Sequence, residues 1–278
     1  MDNLICFLLV RNGPLTPAQA EVWITVFAEY QTPTTEVRGR LMGPRCRYST
    51  TVEVAYPLRL PPPQNVPPGA LGITMRVFIP EASLWEPESP FLYQGPIELW
   101  QDGRRCDQVH LSHGLRDVSL GERGLRLNSR PLTLRGRAVT ACSEEEALAL
   151  RQTGCNLLVA PVEANTLDLV ERADRLGFFL LGRIRDQSEQ TLRHLWMLSL
   201  HTSCLGWLIE EGMHLPLDDL PPRCLVGLVC ASASPEVPVG VNFLVGPAEL
   251  ANLGKPVLVM GEGPGPTADP SRNLGSVV

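Results

Sequence analysis

Between about Ala20 and Val118, apolar and polar residues alternate over short runs separated by turn residues. The runs Val22-Trp23-Ile24-Thr25-Val26-Phe27, Ser49-Thr50-Thr51-Val52-Glu53-Val54 and Ile73-Thr74-Met75-Arg76-Val77-Phe78-Ile79 carry this period of two. A strand buried on one face only produces that pattern, so residues 20–118 are predicted to form an antiparallel β-sandwich, with residues 1–19 set apart as an N-terminal segment. Prolines between Pro57 and Pro68 cannot donate to a sheet ladder and predict an extended loop.

After Arg130 the rhythm changes to strand-helix alternation. Ser143 followed by Glu146 is a capping box that opens a helix through Ala147-Leu148-Ala149-Leu150. Leu169, Val170, Ala173 and Leu176 line one face of a second helix, which Gly177 ends. Between and after these lie short apolar runs of the kind that strands buried on both faces show, at Asn156–Ala160, Phe178–Leu181, Leu205–Ile209, Cys224–Val229, Val241–Val245 and Val257–Met260. With Leu132-Thr133-Leu134 leading, about seven strands are expected, and no eighth unit is visible in the Gly-, Pro- and Asn-rich tail from Gly261 to Val278. Residues 119–278 are therefore predicted as an α/β domain in the form of an incomplete (β/α) barrel.

Composition adds exclusions. With 44% apolar residues, 19% charged residues and 278 residues in all, the chain is long enough for two cores. A net charge of −6, Lys255 as the single lysine and no run of basic residues argue against nucleic acid as a partner. No apolar run reaches the roughly 20 residues that span a bilayer, and Leu4–Val10 lacks the basic flank and cleavage site of a signal peptide, so no membrane association and a cytoplasmic setting are expected. Eight cysteines without a C-x-x-C pair predict buried free thiols and no metal site, and nothing suggests a cofactor.

The junction carries Trp85-Glu86-Pro87-Glu88-Ser89-Pro90-Phe91-Leu92-Tyr93, then Asp102-Gly103, Gly114-Leu115-Arg116 and Leu127-Asn128-Ser129-Arg130-Pro131-Leu132-Thr133-Leu134-Arg135-Gly136. This series resembles the family 2 glycoside hydrolases, the β-galactosidase and β-glucuronidase group. Gly154-Cys155-Asn156 and Ala173-Asp174-Arg175-Leu176-Gly177 extend the likeness over residues 20–262. The resemblance implies an immunoglobulin-like sandwich joined to a TIM-type barrel, a place in carbohydrate metabolism, a carbohydrate partner, and burial of Trp85 and Tyr93 where sandwich meets barrel.

A retaining glycosidase needs two carboxyl groups about 5 Å apart on rigid strand ends. The resemblance implies an acid/base after the fourth barrel strand, where Glu210 and Glu211 stand, and a nucleophile after the seventh, where Glu262 stands. Both are out of register by about one residue, and the supporting polar groups are replaced. Arg137, Ala138, Val139 and Thr140 follow Gly136 where Asn and His are usual, Val159 or Ala160 takes an arginine position, and Gly182-Arg183 takes that of an Asp-Glu pair. A glutamate stands for the Asn of the acid/base pair. The expected function is thus a catalytically degenerate relative that retains sugar or partner binding. An active retaining β-glycosidase using Glu262 with Glu210 or Glu211 is one alternative, and a protein-interaction scaffold using the proline-rich loop is another. His110 and His113 beside Asp107, and His194 and His201 around a helix, read as packing residues, and Ser203-Cys204 has no evident catalytic partners.

Overall fold

The computed structural model describes residues 3–16, 18–62, 72–122, 124–213, 220–221, 224–231, 234–261 and 272–278. The chain divides into two compact units, one of Met1–Trp85 with Ser89–Arg116 and one of Glu86–Glu88 with Asp117–Val278.

The first unit contains β1 (Ile5–Leu15), β2 (Gln19–Ala28), β3 (Glu36–Arg45), β4 (Val54–Pro57), β5 (Ile73–Pro80), β6 (Leu92–Gln101) and β7 (Arg104–His113). They form two antiparallel sheets, ordered β1-β2-β5 and β4-β3-β6-β7. Alternation along the strands puts Val22, Ile24 and Val26 of the first sheet against one core with Val37, Leu41, Ile97 and Leu99 of the second, which makes the pair a sandwich. Two expectations change. The segment set apart at the N-terminus supplies β1, an edge strand paired with β2 from Ile5 to Leu15. The run from Ser49 to Glu53 is not a strand, which starts only at Val54. Pro63 to Pro68 of the proline cluster lie outside the described residues.

Asp102 (φ 50°) and Gly103 (φ 74°) both adopt the left-handed conformation of a tight hairpin turn between β6 and β7. At the start of β6, the buried Tyr93 accepts a hydrogen bond at its hydroxyl from the Ser83 backbone N–H at 2.9 Å. Burial pushes its phenol up to about 12, against the lowering effect of the Ser83 bond, so the hydroxyl stays protonated. Trp85 is fully buried, its backbone N–H donates to the Leu115 carbonyl at 2.8 Å, and the Arg116 guanidinium stands 5.8 Å from its ring centre.

The second unit opens with a small meander of β8 (Val118–Gly121), β9 (Gly124–Leu127) and β10 (Arg130–Pro131). Eight parallel strands then close into a barrel: β11 (Leu134–Ala138), β12 (Leu157–Pro161), β13 (Phe179–Arg183), β14 (Cys204–Glu210), β15 (Leu225–Val229), β16 (Phe243–Gly246), β17 (Val257–Met260) and β18 (Asn273–Val277). The barrel is complete, which corrects the expectation of an incomplete one. The missing strand is Asn273-Leu274-Gly275-Ser276-Val277, paired in parallel with both β17 and β11. Its low β-propensity hid it. Helices are few among the described residues: α1 (Glu144–Gln152), α2 (Thr166–Leu176), α3 (Glu189–Ser199) and a 3₁₀ turn at Ala248–Leu253. The capping box at Ser143 and Glu146 forms as the sequence predicts, and Gly177 ends α2 in the left-handed conformation at φ 78°.

The Glu86–Glu88 segment packs within this unit. Arg151 of α1 donates to the carbonyls of Pro87, Glu88 and Leu176, the latter two at 2.9 Å. A side chain at Gly177 would collide with the Pro87 carbonyl. All eight cysteines are free thiols, but only Cys142, Cys204 and Cys230 are buried as expected, and Cys6 is exposed.

Replacing Gly275 with alanine is expected to destabilise the chain by about 2–4 kcal/mol, because φ there is +125° and the new Cβ would meet the Leu134 carbonyl oxygen across the closing seam. Replacing Trp85 with alanine should cost about 3–5 kcal/mol through the cavity left behind. Urea unfolding of both variants measures these losses, and a midpoint unchanged from the parent contradicts the packing described.

Candidate functional site

In a parallel barrel, successive side chains point alternately inward and outward, and the C-terminal strand ends form the mouth where sites are built. On β14, Trp207 and Ile209 pack outward in the core between barrel and helices. Glu210 therefore lies on the inward face at the mouth. On β13, Gly182 faces outward against Trp207, which places Arg183 inward, in register with Leu208. The two inward charges meet: Arg183 Nε donates to Glu210 Oε1 at 2.5 Å. They are 44% and 37% exposed, so water screens the pair, and exposed pairs of this kind contribute roughly 0.2–1 kcal/mol.

Glu211, the next residue, turns to a different partner. Its Oε2 accepts from the Ala231 backbone N–H at 3.0 Å, just beyond β15. Glu163 after β12 and Arg185 after β13 form a second, longer pair at 3.6 Å. Glu262 lies outside the described residues, one position after Gly261, whose N–H donates to the Val277 carbonyl at 2.9 Å. Of the three carboxylates singled out from sequence, the structure thus places two, and each carries a bond of its own. The Arg183 partnership was missed. Its signal was faint: Arg183 and Glu210 are opposite charges lying just beyond the predicted runs Phe178–Leu181 and Leu205–Ile209, and both prove to be the last residues of the observed strands.

Two of the described histidines, His113 and His201, hold structure together, while His110 is exposed. His113, buried in β7, shares a hydrogen bond of 2.7 Å with the Asn12 side chain through Nε2, and Asp107 accepts from the Ile5 N–H at 2.8 Å. In the second unit, buried Asp174 of α2 binds His201 Nδ1 at 2.8 Å and accepts from the Ser203 N–H at 2.6 Å. Ser203 directs its hydroxyl to the Val170 carbonyl at 3.1 Å, so this Asp-His-Ser set lacks the serine-to-histidine bond of a nucleophilic triad. It ties α2 to the turn before β14. Among the described residues no group of three or more His, Cys, Asp or Glu side chains could hold a metal ion, and no helix is long and apolar enough to cross a membrane.

The class defined by this fold is a two-sheet antiparallel sandwich followed by a closed eight-stranded parallel barrel with charged strand ends. No protein-family model matches the chain, and no curated protein matches it. Solved structures do. A β-D-glucuronidase from Dictyoglomus thermophilum matches with a TM-score of 0.69 at 14% identity, over 99% of this chain and 62% of that one. A β-glycosidase from Bacteroides vulgatus matches with a TM-score of 0.69 at 15% identity, over 95% of this chain and 39% of that one. A glycosyl hydrolase family 2 member from Bacteroides cellulosilyticus matches with a TM-score of 0.67 at 15% identity, over 99% and 44%. The likeness establishes a shared fold with family 2 glycosyl hydrolases, and the chain spans less than two thirds of each of these proteins.

Burial pushes the His201 imidazole down, but the hydrogen bond and charge of Asp174, with the charge of Glu171, outweigh it and leave the pKa raised above 6.5. A histidine raised on folding stabilises the protein fully below its unfolded pKa, and the contribution is lost as pH rises through the folded value. His201→Gln is therefore expected to lower the melting temperature more at pH 6 than at pH 9. Thermal melts at the two values test this, and an equal loss at both contradicts a charged pair.

Proposed function

We propose that the chain is a relative of the family 2 glycoside hydrolases whose catalysis has degenerated and whose barrel mouth retains carbohydrate binding. The observation that carries this reading is the Arg183–Glu210 pair. A general acid must offer a proton to the leaving-group oxygen, but Oε1 of Glu210 accepts from a guanidinium, at a strand end where the family resemblance implies an acidic pair instead of Gly182-Arg183. Glu211 is bonded to the Ala231 backbone and stands one residue from the acid/base register. Loss of Asn and His after β11 removes further groups that would hold sugar hydroxyls.

The sandwich fits the same reading as an immunoglobulin-like domain. Its sheets contain the first, second and fifth strands, and the fourth, third, sixth and seventh, which supports that reading, the fourth strand pairing with the third where constant-type domains put it in the other sheet. Tyr93 at the start of β6, bonded back to the Ser83 backbone, also supports that reading, since such domains carry a tyrosine near the start of the sixth core strand that bonds to upstream backbone. The competing reading is an active retaining β-glycosidase with Glu262 as nucleophile and Glu210 or Glu211 as acid/base. It rests on carboxylates falling after the fourth and seventh barrel strands.

The test is hydrolysis of aryl β-galactosides, β-glucuronides and β-mannosides. An aryl leaving group needs little protonation, so these substrates favour detection even with a poor acid. The wild type is expected to match a Glu262→Gln control, since loss of one positioned acid or base alone removes about 10²–10⁴-fold. Turnover by the wild type at enzyme-like rates, abolished by Glu262→Gln, would establish the glycosidase instead. Binding of the corresponding free sugars, read by calorimetry, tests the retained function, and no saturable heat with any of them defeats that part of the proposal.

A further inference from the structure

A pocket of about 430 Å³ lies along the outer seam between β11 and β18, with the C-terminal turn of α1 as its opposite wall. It is separate from the barrel mouth. Arg135 and Arg137 are two residues apart on β11 and so share one face, while Leu134 and Gly136 between and beside them face inward. Both arginines line the pocket. Arg135 Nη1 lies 3.1 Å from where a Cβ on Gly154 would stand, and Arg137 lines the same pocket as Cys155.

Two cations lining one pocket repel each other, and no carboxylate among the described residues pairs with either. Elsewhere arginines find acids, as in Arg38–Glu36, Arg45–Glu53 and Arg193–Glu189. The acidic residues of α1 lie in its first turn, at the far end of the helix from this pocket, and there Glu146 serves the capping box and Glu144 pairs with Arg175. The last carbonyls of α1 are also taken: Leu150 O accepts from the N–H groups of Thr153 and Cys155, and Arg151 O from that of Gly154. Thr133 and Ser276 add hydroxyls to the lining, and Leu150 and Cys155 add apolar surface.

We propose that this pocket binds an organic phosphate monoester, with the phosphoryl oxygens held by the forks of Arg135 and Arg137 and the apolar group resting on Leu150 and Cys155. A tetrahedral dianion with several acceptor oxygens matches two planar guanidinium groups in both charge and geometry. The inference is independent of the reading of the mouth.

Calorimetric titration of the full chain with phenyl phosphate, inorganic phosphate and benzyl alcohol at constant ionic strength tests it. Phenyl phosphate is expected to bind saturably at one site, about tenfold more tightly than inorganic phosphate because its ring leaves water, and benzyl alcohol is expected not to bind. The double variant R135Q/R137Q should weaken phenyl phosphate by at least about tenfold, whereas R38Q/R193Q, which removes two arginines elsewhere, should leave it unchanged. Absence of saturable binding, or equal weakening in the two double variants, overturns the proposal. A second readout uses only the wild type: phenyl phosphate should slow alkylation of Cys155, followed peptide by peptide, while exposed Cys6 reacts at its former rate. Cys155 labelling that is unaffected, or slowed equally with Cys6, also overturns it.

Discussion

The second unit depends on one seam, where the eighth barrel strand hydrogen-bonds the first. A parallel sheet left open has two edges of unsatisfied backbone groups, and ring closure removes both. Here closure relies on backbone proximity more than on side chains. Leu134 faces Gly275 and Gly136 faces Val277 across the seam, and a Cβ at Gly275 would occupy space held by the Leu134 carbonyl. The strand ends at the mouth are then set by register between neighbours, and the pairing of β13 with β14, which aligns Arg183 with Leu208, brings Arg183 and Glu210 within bonding distance.

The same seam marks where sequence reasoning loses its grip. Six of the other barrel strands are legible because Val, Leu, Ile and Phe crowd into runs that fit burial on both faces, as in Phe179–Leu181 or Val257–Met260, whereas β11 at Leu134–Ala138 meets the predicted run Leu132–Leu134 only at Leu134, because its arginines and glycine carry no apolar signal. In β18, glycine and serine stand where such residues would be, because close approach selects there for absence of bulk. Local chemistry is legible wherever it is self-contained: the Ser143–Glu146 capping box, the left-handed Gly177 and the Asp102-Gly103 turn each need only their neighbours in sequence. By contrast, β1 was hidden because its apolar run is short and its partner lies beyond a turn. The run from Ser49 to Val54 has strand-forming residues but only its last residue joins the ladder with β3.

The candidate site is legible to a lesser degree for a related reason. Residue identity places carboxylates near the ends of the fourth and seventh strands, but the orientation of each depends on register, and a one-residue shift changes the face. Glu210 and Glu211 show the effect directly, since adjacent carboxylates go to different partners, Arg183 at the end of β13 and the Ala231 backbone beyond β15.

The contrast between scaffold and mouth then follows from how each residue is held. Tyr93 is fixed by burial and by the Ser83 backbone, Arg151 by three carbonyls, and Asp174 by His201 and the Ser203 N–H, so changing any of them takes a partner from wholly or partly buried polar groups, the Ser203 N–H being fully buried. Side chains at the mouth carry no such packing duty. The Arg183–Glu210 pair is partly exposed and adds little to stability, so residues there can change without disturbing the barrel beneath them. Catalytic competence is therefore the property such a chain can lose while its fold persists, and an architecture shared with glycosidases is compatible with a mouth that no longer performs their chemistry.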